Sequence, residues 1–231
     1  MDYILQGFKE AFFLIFSGNL EIYSIIVLSL LVSLTSVIIA SAVSIPLGIF
    51  TGLNNFRGKK LFTRVTYTLM GIPPVVLGLL VFLFIARRGP LGFLNLKYTV
   101  AAMIVAQTLL VFPIILGNIF SSVNAHGKVI MLSCKTLGAS KIQTLWILVK
   151  ELRRNILIAV VTGFGRAISE VGAVMIVGGN IKDKTRTMTT YIVMQNSMGK
   201  YEVSIALGIV LLAIVFVING LLHKFVGAHD D

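Results

Sequence analysis

Arg166 and Glu170 stand four residues apart and are the only charged side chains between Asn155 and Asn180. A charge set in so apolar a stretch is costly, which makes it a functional candidate. Spaced at i, i+4 on one helical face, the two can also neutralise each other. A structural ion pair and a direct contact with an anion both fit this spacing. Ser169 and Gly172 flank Glu170. A break lies at Pro73-Pro74, inside another apolar run. Adjacent prolines remove two backbone donors and interrupt a helix. Within a bilayer such backbone survives only against protein or a water-filled cavity. Pro73 and Pro74 are therefore either a structural kink or part of a passage. Pro73, Pro74, Arg166, Ser169, Glu170 and Gly172 are the candidate path residues.

No reactive constellation accompanies them. His126, His223 and His229 have no Cys, Asp or Glu at metal-ligand spacing. There is no G-x-S-x-G elbow and no Walker A sequence, so this chain has no phosphate-cradling loop for ATP hydrolysis and is not expected to be an enzyme. The single cysteine, Cys134, excludes an intrachain disulfide and reads as a small helix residue.

The elements that must hold these residues are membrane spans. Of 231 residues, 57% are hydrophobic and 13% charged, against about a quarter charged in soluble domains. The length fits one integral membrane domain over 1–231. The net charge of +11 is spread over short loops. Positive-inside bias and anionic lipid account for much of it, and no nucleic-acid motif competes. Residues 22–50, 65–86, 98–122, 156–179 and 203–222 are expected to cross the bilayer. Residues 1–20, interrupted by Lys9 and Glu10, are expected to form an interfacial amphipathic helix rather than a signal peptide or a sixth span. Arg57, Lys59, Lys60 and Arg64 read as a basic loop. In the first span Ser29, Ser33, Thr35, Ser36, Ser41 and Ser44 favour close helix packing over pore lining. Pro46 is expected to kink its end.

Residues 124–155 form a polar island between spans. Ile142, Leu145, Trp146, Val149 and Leu152 recur with helical period. Gly138 suits a left-handed helix terminus. Ser140, with Gln143 three residues on, supplies a capping box for the next helix. The island is thus a helix, a tight turn and a second helix, held outside the bilayer for a partner. Five spans put the termini on opposite sides. Eleven Lys and Arg residues on the island's side against eight on the other place the island and the C-terminus in the cytoplasm, with the N-terminus outside. The basic outer face would concentrate anions. Docking of lipid or protein there is the alternative.

The island resembles the Glu-Ala-Ala loop of the membrane permeases of ABC importers, with Leu132-Ser133-Cys134, Lys135-Thr136-Leu137 and Gly138-Ala139-Ser140 in its register. The leading Glu and the closing Leu-Pro are absent; Lys150-Glu151 stands at the latter. Gly71-Ile72-Pro73-Pro74-Val75-Val76-Leu77-Gly78, Arg88-Gly89-Pro90-Leu91-Gly92 and the stretch from Gly165 through Glu170 to Ala173 resemble segments of the molybdate, tungstate and sulfate branch. So do Gly179-Asn180-Ile181 and Thr185-Arg186-Thr187-Met188, although Lys182-Asp183 replaces the usual Pro-Gly. Among that branch the chain is most similar to its tungstate-specific form.

The resemblance implies an all-α type I importer permease fold with a cytoplasmic coupling helix. It implies a homodimer in a bacterial or archaeal cell membrane, two cytoplasmic ATPase subunits carrying the ATP-Mg, and an extracytoplasmic oxyanion-binding protein. Lys135, Gly138, Ala139, Ser140, Lys141 and Ile142 would then contact the ATPase. A secondary transporter or channel working without an ATPase is the alternative, against which no internal repeat is found.

Overall fold

The computed structural model describes residues 19–227, and these are all-α. The helix expected over 1–20 lies outside the described residues except for its last two. Three helices are long and apolar enough to cross a membrane: α1 (Leu20–Leu53), α4 (Val100–Thr136) and α9 (Tyr201–Gly227), the last by its Tyr201–Leu221 part.

Helix α1 starts because Asn19 Oδ1 accepts the Glu21 N–H at 3.0 Å, a standard N-cap. No charge interrupts it afterwards, and Pro46 stays inside it without ending it. Its 34 residues span about 51 Å, well beyond the ~30 Å hydrocarbon layer. Thr99 caps α4 by accepting the Ala102 N–H at 3.2 Å. Helix α4 then runs through residue 122 to Thr136, so the island's first part is the continuing span.

Helices α1 and α4 lie side by side and parallel. Ser36 Oγ donates to the Ile104 carbonyl at 3.2 Å, and Ser44 Oγ to the Phe112 carbonyl at 3.1 Å. Further along, a Cβ on Gly48 would fall 2.8 Å from Ile119 Cγ2, and one on Gly52 2.6 Å from Val123 Cγ1. Small residues bring the backbones together, and hydroxyls bridge them at about 0.6 kcal/mol each. The serines of the first span therefore pack.

The other two crossings are broken. Helices α2 (Lys59–Met70) and α3 (Pro74–Ile85) meet at 100°; α6 (Arg153–Ile168) and α7 (Gly172–Gly178) meet at 56°. Counting each bent pair once gives five crossings. The runs 65–86 and 156–179 are thus not single helices. Pro73 and Pro74 end the first run, with Pro74 opening α3 where a missing N–H costs nothing. Lys59, Lys60 and Arg64 belong to α2, not to a loop. Gly58, at φ +91°, turns the chain into that helix, a conformation glycine adopts freely.

Lys59 Nζ reaches back to the Gly52 and Asn54 carbonyls at 3.2 and 3.0 Å, fixing the end of α1. Two short helices complete the fold, α5 (Lys141–Glu151) and α8 (Met188–Ser197). Val111, Ile115, Ile119 and Phe164 form the central core, and Leu148 of α5 is buried in it.

Candidate translocation break and coupling elbow

The two broken crossings touch at their breaks. A Cβ on Gly172 would lie 2.7 Å from Val75 Cγ2 and 3.6 Å from Val75 N, beside Pro74. About one turn further along α3, a Cβ on Gly78 would lie 2.6 Å from Ala173 Cα. Only glycine lets α3 and α7 approach so closely. Pro73, Pro74 and the 166–172 stretch, separate in sequence, are brought together.

Glu170 lies past the end of α6, in the break itself, rather than mid-helix. Its carboxylate is 4% exposed and sits 3.7 Å from Arg166 Nη2, whose side chain is 40% exposed. That spacing is longer than the 2.7–2.9 Å of a tight charge-assisted bond. The closer partner is the Ala173 N–H, which donates to Glu170 Oε1 at 3.0 Å and satisfies an orphan donor at the start of α7. The Glu170 carbonyl accepts Thr189 Oγ1 at 2.9 Å. Gln107 Nε2 of α4 donates to the Ala167 carbonyl at 2.9 Å, closing the end of α6. Ser169 Oγ turns back to the Gly165 carbonyl at 2.7 Å.

The break is thus held from α4 by Gln107 and from α8 by Thr189. Sequence reasoning gave neither Gln107 nor Thr189 a role. Their signal, an amide in an apolar run and a Thr-rich 185–190, names no partner. Thr190 Oγ1 donates to Asn180 Oδ1 at 2.9 Å, and Ser29 Oγ accepts the Met188 N–H at 2.8 Å. The first ties α8 to the loop after α7, and the second seats its N-terminus on α1. At the same end, Glu21 pairs with Lys182 at 3.2 Å and Arg186 at 3.3 Å. Arg186 also lies 5.1 Å from the Tyr191 ring centre.

The elbow occupies the opposite end of α1. Gly138 has φ +73° and donates its N–H to the Lys135 carbonyl at 3.1 Å. The Ala139 N–H reaches the Cys134 carbonyl at 3.0 Å. Ser140 N–H donates to Gln143 Oε1 at 2.8 Å, while Ser140 Oγ accepts the Gln143 N–H at 3.3 Å, a complete capping box. The apolar stripe of α5 does not all turn inward. Leu148 and Leu152 are buried, yet Leu137, Ile142 and Trp146 are 86%, 81% and 66% exposed. Lys135 and Lys141 are also exposed.

Residues 44–226 match the family described as the binding-protein-dependent transport system inner membrane component. The chain belongs to the ABC importer permeases of the molybdate, tungstate and sulfate branch. It is 54% identical to the tungstate uptake system permease protein TupB of Peptoclostridium acidaminophilum, over 97% of this chain and 98% of the relative. It is 36% identical to the Campylobacter jejuni protein of the same name, over 97% of this chain and 94% of that one. A probable anion ABC transporter permease protein of Haloferax volcanii is 39% identical, over 87% and 89% of the two chains. The permease is a multi-pass membrane transport subunit and not an enzyme. Its architecture is that of a permease working with an ATPase and a binding protein.

Proposed function

We propose that this permease carries tungstate inward, receiving it from an extracytoplasmic binding protein and releasing it to the cytoplasm. The observation carrying this reading is the 54% identity, across almost the full length of both chains, to a tungstate uptake permease. Two copies of the chain flank the anion's route, with one ATPase below each, in a bacterial or archaeal cell membrane. The elbow and C-terminus face the cytoplasm; the Glu21 end of α1 faces outward.

The route passes Pro73, Pro74, Ser169 and Gly172, where the two breaks meet. Arg166 and Glu170 bring opposite charges to it, so the route holds no net charge that would trap a dianion. Lys135, Gly138, Ala139, Ser140, Lys141 and Ile142 form the ATPase contact. Exposed Ile142 and Trp146 support this assignment, because apolar side chains that this chain leaves uncovered call for a partner. ATPase closure then pulls the elbow, and Leu148, buried in the core, passes the movement to α1, α4 and α6 as a rigid-body swing.

Uptake of labelled tungstate into proteoliposomes holding the permease and its ATPase, with the binding protein outside, tests this reading. Unlabelled tungstate should compete far better than molybdate or sulfate. Equal competition by sulfate would rule out tungstate specificity.

A further inference from the structure

We infer that the cavity between the elbow and the membrane-crossing body binds the headgroup of an anionic phospholipid. The cavity, of about 820 Å³, opens where α1 ends at Leu53 and is walled by Met131 and Leu132 of α4 and Leu145 of α5. Lys128, Lys135 and Lys141 line it, and no acidic side chain does. None of these three lysines has an ion-pair partner among the described residues. Three unneutralised ammonium groups beside an aliphatic wall fit an anionic amphiphile, with phosphate on the lysines and glycerol and upper acyl carbons on the leucines.

The orientation of α5 favours lipid over the ATPase as occupant, with Lys135 and Lys141, at the edge of the proposed ATPase contact, lining the cavity. Lys141, Thr144, Leu145 and Leu148 share one helical face, and Leu148 is buried against the body. The cavity therefore lies on the body side of the elbow. Ile142 and Trp146, the exposed pair, occupy a different face, and a neighbouring hollow lined by Leu137, Gly138, Ile142 and Trp146, which shares only Ala139 with the cavity, opens there. Helix α1, free of charge from Ile22 to Phe56, reaches the cavity at its last residue. The site thus lies on the cytoplasmic side of a charge-free span, within reach of the leaflet where anionic headgroups are concentrated. A lipid wedged there would brace the elbow against the bilayer while its far face engages a protein. This inference does not depend on the identity of the transported anion.

The test is native mass spectrometry of the full-length permease, purified in detergent and offered phosphatidylglycerol or phosphatidylcholine. Phosphatidylglycerol should be retained and phosphatidylcholine not. The triple variant Lys128→Gln/Lys135→Gln/Lys141→Gln should lose affinity roughly a hundredfold, about fivefold per lysine. Lys128→Gln alone, outside the elbow turn, should lose about fivefold. Removing equal charge elsewhere, in Arg87→Gln/Arg88→Gln/Lys184→Gln, should change nothing. Retention should also survive addition of the ATPase and of millimolar inorganic phosphate. Equal retention by the triple variant, or equal binding of phosphatidylcholine, overturns the inference. Displacement by phosphate would make it a free-anion site, and stripping by the ATPase would make the cavity part of the protein interface; either result overturns it too.

Discussion

Gly78 of α3 lies against Ala173 of α7, with room for no side chain: a Cβ on Gly78 would stand 2.6 Å from the Ala173 Cα. This contact locks together the two half-helices that follow the breaks. Because the obstacle is backbone, nothing can swing aside. Gly78→Val should therefore cost about 1–3 kcal/mol by overpacking and depress both thermal stability and uptake. Gly165→Ala, where a Cβ meets nothing within 4 Å, is the matched control and should leave both unchanged. Melting curves of the two variants in one detergent decide the point.

At the break, Glu170 serves the Ala173 N–H more closely than it serves Arg166. Glu170→Gln keeps an acceptor for that donor, while Glu170→Ala leaves it bare. The alanine variant should lose about 1–3 kcal/mol and the glutamine variant distinctly less. In a double-mutant cycle, Arg166 and Glu170 should couple by no more than about 1 kcal/mol, since Arg166 is partly solvated. Coupling of several kcal/mol would show that the ion pair, not the cap, holds the break.

Much of this was legible in the sequence, for reasons that differ by element. The capping box at Ser140 and Gln143 and the glycine turn at Gly138 depend on local backbone chemistry, so spacing alone located them. Long charge-free runs located α1, α4 and α9 in the same way. The broken crossings were less legible. Prolines announced the first break, but a bend of 100° depends on what packs against it. The second break follows Ser169 with no proline at all. It is held by Gln107 and Thr189, which arrive from remote helices, and no window of local sequence contains such contacts. The stripe on α5 was legible as a stripe but not as a contact. Period shows that a face is apolar, not whether this chain or another one covers it.

The exposed part of that stripe yields a third prediction. Ile142→Asp and Trp146→Ala touch little within the chain, so thermal stability should move by less than about 0.5 kcal/mol. Assembly with the ATPase, followed by co-purification, should fall sharply in both. Undiminished co-purification of both variants would remove the elbow from the interface.

A fourth concerns the Glu21 end of α1. Glu21 holds Lys182 and Arg186, and the three bind the 180–187 segment to the start of α1. Glu21→Gln should weaken that tie by about 1 kcal/mol or less, because the pairs are partly exposed. Amide exchange of residues 181–187 should speed up while that of residues 104–119 stays slow. Unchanged exchange in the segment would mean that the Ser29 and Thr190 hydrogen bonds suffice without the ion pairs.

The proposed coupling requires that this body move its anion only when an ATPase pulls on the elbow. Tungstate uptake into proteoliposomes, with binding protein outside and ATP within, measures it directly when run with and without the ATPase subunit. Uptake should require the ATPase and fall to background in Ile142→Asp. Uptake that persists undiminished without the ATPase would contradict the claim and make the protein a self-sufficient transporter.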